Sequence, residues 1–452
     1  MRRTLIGWTA AIVALVAAAL AIGVWSFADR REWTTDSKPA LQAYEAGLDA
    51  RLRFYVPDAL EHFRRAVELD PTFAAARVQL IEVSPSSQER GEMADSLRAV
   101  DPRTLTERER FLVQLALARA DRDAERFRET AHRFLAARPD DPWALYLAAT
   151  LAWEGQEWSE AEQLYLRLLQ VDPNWVTARN HLGYLAMAQG KFDEAEEHFR
   201  TYEFVAPDQA NPHDSLGELL VLRGRYDEAR EELEAGLELR PDFCASYRNL
   251  LGISLFEGDA SGFDSVLDRI DKNCSPKEAE KVRCETRLYV AYLDRDYDLP
   301  WRENVDLCLS RTGERGLLYH RLALLAHRDD VAASEETAWR DLAEKSSKYE
   351  GKMGGPRSQV LHIEGVRLLA EGDPAAAAER FREADEYIHY WGLSDGRVKL
   401  FNRMNLAIAL ERSGDEPAAR QVLDEVREVN PRWAEHYPEI RERTPAPPGR
   451  RG

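Results

Sequence analysis

The sequence predicts an all-α protein built from stacked helix pairs, and three observations carry that prediction. Blocks between Pro142 and Pro241 repeat at about 34 residues, with Trp158, Phe192 and Tyr226 in step, then Ala161, Ala195 and Ala229, then Pro173, Pro207 and Pro241. Hydrophobic residues make up 44% and charged residues 31%, with Ala, Leu, Glu and Arg abundant, as in helices whose apolar residues are confined to packing faces. No β-rich alternating stretch stands out against this pattern. A block of this length forms one helix–turn–helix unit, cannot bury its apolar face alone, and stacks on its neighbours.

Taken in order, the chain opens with a short basic tail, residues 1–3, before an uncharged run from Thr4 to Ala28 rich in Ala, Val, Leu and Ile. As a helix rising 1.5 Å per residue, that run crosses a bilayer core of about 30 Å. We expect a transmembrane helix over 4–28 that serves as a signal anchor. A secretory signal cleaved after Ser26-Phe27-Ala28 is the competing reading, but the run is longer than a typical signal core. Either way the body lies across the membrane, and the basic tail favours an inside amino terminus. The expected setting is a single pass through a bacterial inner membrane with a periplasmic body.

A polar linker, residues 29–38, leads to a repeat region over 39–257. Its first unit, 39–73, starts at Pro39, a residue suited to a first helical turn. Gly47, Ala59, Phe63, Ala66 and Pro71 follow at small–small–large–small–Pro spacings. Residues 83–138 are irregular, with one short helix between turn signals and then a degenerate pair, and clear units return over 142–241. Residues 258–350 keep helical spacing without the repeat signature. Gly351-Lys-Met-Gly-Gly-Pro356 is the expected hinge, because consecutive glycines are free at positive φ. A final repeat pair is expected over 357–440, and the Pro- and Arg-rich tail over 441–452 is expected to be disordered.

Three segments carry a family resemblance: Ala59-Leu-Glu-His-Phe63, Ala195-Glu-Glu-His-Phe199 and Ala377-Ala-Glu-Arg-Phe381, together with the pairs Leu182-Gly183 and Leu216-Gly217. These resemble the Ala-x3-Phe and Leu-Gly motifs of the tetratricopeptide repeat, across about half of the chain. The family's early tryptophan is missing, since Arg179 and His213 stand there. The resemblance implies a right-handed α-solenoid with a concave groove that holds other polypeptides.

It also implies which residues line that groove, because the first helix of each pair faces it. These are Trp143, Tyr146 and Trp153 in the first clear unit, then Asn180, Tyr184 and Met187, then Asn211, Asp214 and Glu218, and finally Arg248 and Asn249. Aromatic anchors beside Asn and Arg donors suit capture of an extended or helical peptide, with aromatics giving contact area and amides gripping backbone. Aromatic residues at helical spacing also suit a packed core, which is the alternative for Trp143, Tyr146 and Trp153.

Composition narrows the partners. With 61 Lys and Arg against 80 Asp and Glu, the formal charge of −19 repels a phosphate backbone, so no nucleic acid is expected. Cys244, Cys274, Cys284 and Cys308 have no CxxC or Cys/His ligand spacing, and the ten histidines form no cluster in sequence, so no metal site is expected. Free, partly buried thiols are expected, with Cys274 and Cys284 the candidates for pairing in an oxidising compartment. Phosphate loops, His-Glu-x-x-His helices and nucleophile elbows are all missing, so neither a cofactor nor catalysis is expected. The leading functional expectation is a membrane-anchored scaffold for a protein or peptide ligand. A detached sensor module of a kinase-linked or transcription-factor-linked signalling system is the alternative.

Overall fold

The computed structural model describes residues 32–257, 262–305, 308–309, 317–346 and 355–433. Among them there are 22 α-helices, a 3-10 turn at Pro102–Thr104 and no strand. No helix among the described residues is long and apolar enough to cross a membrane, and the anchor expected over 4–28 lies outside them. Two compact units divide the chain after Ala144.

The first unit contains helices α1 Lys38–Leu52, α2 Val56–Leu69, α3 Ala74–Val83, α4 Ser87–Arg98, α5 Glu107–Ala120 and α6 Ala124–Ala137. Local chemistry sets their starts. Ser37 accepts the Ala40 amide ahead of Pro39, Ser86 accepts the Glu89 amide, and Thr106 with Glu109 forms a reciprocal capping box on α5. Tyr44, Phe63 and Phe73 form the aromatic centre of this unit, with Trp33 5.0 Å from Tyr44. The boundary falls inside helix α7, Pro142–Glu154.

The second unit continues with the clear repeats: α8 Trp158–Val171, α9 Thr177–Ala188, α10 Phe192–Val205, α11 Ala210–Leu222, α12 Tyr226–Leu239 and α13 Cys244–Glu257. The periodic landmarks have separate structural jobs here. Trp158, Phe192 and Tyr226 are the first residues of second helices, and Pro173, Pro207 and Pro241 occupy the turns after them. Ala161, Ala195 and Ala229 have no exposed surface, because a larger side chain would push the paired helices apart.

The Leu-Gly and Ala-x3-Phe motifs turn out to be two halves of one contact. A Cβ at Gly183 would lie 2.4 Å from the Phe199 ring, at Gly47 2.5 Å from Phe63, and at Gly365 2.6 Å from Phe381. The aromatic ring of the second helix packs against bare backbone of the first. At Gly217 the same role falls to Leu233, 2.7 Å away. In these four pairs the glycine lets the two helices approach more closely than a side chain there would allow.

Beyond α13 follow α14 Phe263–Asn273, α15 Pro276–Leu293, the single turn α16 Leu299–Arg302, α17 Leu317–Leu325 and α18 Asp329–Ser346. The last hairpins are α19 Gly355–Glu371 with α20 Pro374–Tyr387, and α21 Leu393–Arg412 with α22 Glu416–Val429. Of the expected hinge, Gly351 to Gly354 lie outside the described residues, whereas Gly355 and Pro356 open α19. Proline is tolerated there because a first-turn amide has no helical partner.

The cysteines correct the expectation of free thiols. Cys244 pairs with Cys274 and Cys284 with Cys308, leaving none free. Cys244 opens α13 and Cys274 caps the end of α14, so an antiparallel hairpin returns them to a Cα separation of 6.0 Å. Cys274 and Cys284, although the nearest in sequence, lie at the end of one helix and more than two turns into the next.

Candidate functional site

The expected groove residues fall into three groups. Trp143, in the first unit, is buried with the Arg51 guanidinium 5.0 Å above its ring, and Met187 is wholly enclosed in the second unit. Both are core, as the alternative reading of the aromatic positions allows for Trp143. Tyr146 is half-buried and sits among rings, 5.7 Å from Trp175 and 5.5 Å from His181. His181 is pushed down to about 4 by burial, so it stays neutral there.

The second group is a polar ladder on the first helices α9, α11 and α13. Asn180, Asn211, Asp214 and Asn249 are all buried. Asp214 Oδ1 accepts from the Ser246 hydroxyl at 2.9 Å and from Asn249 Nδ2 at 3.1 Å, tying α11 to α13. Burial, reinforced by nearby Glu218, pushes the Asp214 carboxyl up to about 7, while the Ser246 and Asn249 donors oppose the shift. Asn180 Oδ1 and Asn211 Oδ1 have no hydrogen-bond partner. Each is a buried acceptor left open, an arrangement that costs roughly 1–3 kcal/mol unless a donor arrives. Arg248 is exposed on the same helix as Asn249 and pairs with Glu278 at 2.8 Å.

The third group meets a segment of the chain that carries no repeat signature. Residues Ile388 to Gly392 link α20 to α21 as non-helical chain. Lys399 fixes the start of this segment, donating to the Ile388 carbonyl at 2.7 Å and to Asp385 Oδ2 at 3.1 Å. Trp391 then lies 5.4 Å from Trp153 and 5.3 Å from Trp158, while His389 is 5.7 Å from Trp158 and Tyr390 5.1 Å from Phe192. Glu218 completes the seat. Its Oε1 accepts the Leu393 amide at 2.6 Å, which places a carboxylate at the N-terminus of α21, and its Oε2 accepts from the Tyr184 hydroxyl at 2.5 Å. Anions are stabilised at that end of a helix by its unpaired amides and dipole. Burial nevertheless raises the Glu218 carboxyl, and the Tyr184 and Leu393 donors pull it back.

Further along, the end of α22 repeats the pattern. Asn430 bonds the Tyr226 hydroxyl at 3.2 Å, and Trp433 lies 4.4 Å from Phe256. Trp158, Phe192 and Tyr226, equivalent positions of three repeats, therefore all receive residues from one downstream stretch, His389 to Trp433. Sequence reasoning missed this stretch as a binding element. The cluster His389-Tyr390-Trp391 was the available signal, since three aromatic rings in a row have no place in a repeat pattern.

Paired helices of 12–14 residues repeated over 142–257, with glycine packed against a ring or a leucine of the next helix, define a helical-repeat protein. Models of the tetratricopeptide repeat match residues 146–215, 186–252 and 403–425, so these stretches of the chain are tetratricopeptide repeats. No curated protein matches the chain. Among solved structures, the Cut9–Hcn1 hetero-tetramer of the APC/C is 12% identical, with a TM-score of 0.48, over 90% of this chain and 77% of that one. Yeast Tom70 is 15% identical with a TM-score of 0.34, over 90% and 89% of the two chains. The human IFIT1 dimer with m7Gppp-AAAA is 12% identical with a TM-score of 0.39, over 87% and 90%.

Proposed function

We propose that this protein is a membrane-anchored, non-catalytic scaffold that holds a protein or peptide partner on the inner helices of its repeats. The observation that carries this reading is the pair of open acceptors, Asn180 Oδ1 and Asn211 Oδ1, buried on successive first helices. A polypeptide backbone supplies N–H donors, and burial makes each new hydrogen bond valuable. Anchoring rests on the apolar run over 4–28. The two disulfides support an oxidising compartment, hence a periplasmic body on a bacterial inner membrane.

The test is co-purification from native membranes with the double variant Asn180→Ala, Asn211→Ala. A partner retained by the parent and lost from the variant, with the helical circular dichroism unchanged, is the expected result. Equal recovery from both would defeat the assignment. A second reading, the sensor module of a separate effector, draws support from the segment Ile388 to Leu393 seated on the repeats, since an occupied surface suits a regulated one. Fusing alkaline phosphatase to the C-terminus separates the two: activity places the body outside, and inactivity favours a cytoplasmic sensor.

A further inference from the structure

Away from the inner helices, one histidine draws together two carboxylates in a way that the sequence does not announce. Glu203 lies in the last turn of α10, His213 in the first turns of α11, and Glu232 midway along α12. The ligand atoms of all three lie within 4.8 Å of one another. His213 Nδ1 is 2.9 Å from Glu232 Oε2 and 3.9 Å from Glu203 Oε1, so both carboxylates approach the same ring nitrogen. Their side chains are largely sheltered, 12% exposed for His213, 19% for Glu232 and 29% for Glu203.

We propose that Glu203, His213 and Glu232 form a site for a first-row divalent cation of the zinc class, which ties three successive helices together. A proton on Nδ1 serves one acceptor well, here Glu232, and at 3.9 Å leaves Glu203 without a hydrogen bond to the ring. A metal ion serves both. With His nitrogen and Glu oxygen each about 2.0–2.2 Å from zinc, tetrahedral ligands sit roughly 3.3–3.5 Å apart. The present separations of 2.9 Å and 3.9 Å fall on either side of that span and need only side-chain adjustment. The donors come from rigid helices, and three protein ligands leave a fourth position for water.

One further feature fits a ligand role. An imidazole N–H of His213 hydrogen-bonds the Pro207 carbonyl, the kind of outer contact that orients a metal-bound histidine. Arg200, one turn before Glu203 on the same helix, is already paired with Glu196 at 2.8 Å. The cysteines cannot compete, because all four are in disulfides.

The experiment is calorimetric titration of the intact chain with zinc chloride in a chelator-free buffer at pH 7.5, with thermal melting alongside. One saturable site and a raised Tm are expected. His213→Ala should abolish both effects, and Glu203→Gln should weaken binding at least tenfold while keeping the parent's metal-free Tm. A His62→Ala control should bind as the parent does. No saturable uptake, undiminished uptake by both site variants, or tighter binding of calcium than of zinc would overturn the proposal.

Discussion

At the scale of single residues, Asp214 and Glu218 show how a repeat position acquires a local role. Position 180 of one repeat is an asparagine and position 214 of the next an aspartate, so the same place in the fold carries a different charge. Asp214 keeps its proton up to about pH 7 when folded, against an ordinary value of 3.8. The folded chain therefore binds more protons than the unfolded chain between those limits, and the stability Asp214 contributes is complete below about pH 4 and lost as pH rises through 7. The groups facing it are Glu218, Tyr184, Ser246, Asn249 and Arg248, with Arg397 acting on Glu218. We expect Asp214→Asn to flatten the pH dependence between 4 and 7 and to leave the chain at least as stable at pH 8. Urea titrations across that range check it; an unaltered slope would show that Asp214 ionises freely. None of this was legible in the sequence, which places Asp214 in the groove but does not mark it as buried against Ser246 and Asn249.

At the scale of the helix pair, legibility was high, because each hairpin is set by contacts between residues about 16 apart. Pairing of Gly183 with Phe199, and of Gly47 with Phe63, lies entirely within one block, so the sequence motif and the structural contact are the same object. Gly183→Ala puts a methyl into the Phe199 ring and should destabilise the second unit by about 1–3 kcal/mol, the usual cost of overpacking. Chemical denaturation measures this directly, and Gly91→Ala, where a Cβ meets nothing within 4 Å, is the matched control. The turns between helices are equally regular. Gly190 and Gly224 have φ of 75° and 74°, and Arg122 and Gln156 hold the equivalent places at 57° without being glycine. The disulfides were illegible for the opposite reason, since pairing depends on which helix ends meet in space.

At the scale of the second unit, repeat arrays ordinarily touch only their neighbours, and their stability adds up one repeat at a time. Here Trp391 rests on Trp153 and Trp158, and Trp433 on Phe256, joining stretches more than 170 residues apart in sequence. Such contacts have no period and left no trace in the repeat pattern. Trp391→Ala should therefore lower the stability of the second unit by about 2 kcal/mol, somewhat below the cost for a wholly buried tryptophan. Loss of cooperativity in the urea transition is the accompanying signature, and a sharp, unshifted transition would mean the seated segment adds nothing.

That long-range seat also imposes an order of events on synthesis. The surface formed by Trp153, Trp158, Phe192 and Glu218 is finished once Glu257 has been made, well before His389 to Leu393 exist. At typical elongation rates the interval is roughly ten to thirty seconds. Throughout it the nascent chain displays tryptophan rings and a carboxylate without their later covering. Anything that binds the newborn protein there meets a surface the finished protein no longer presents.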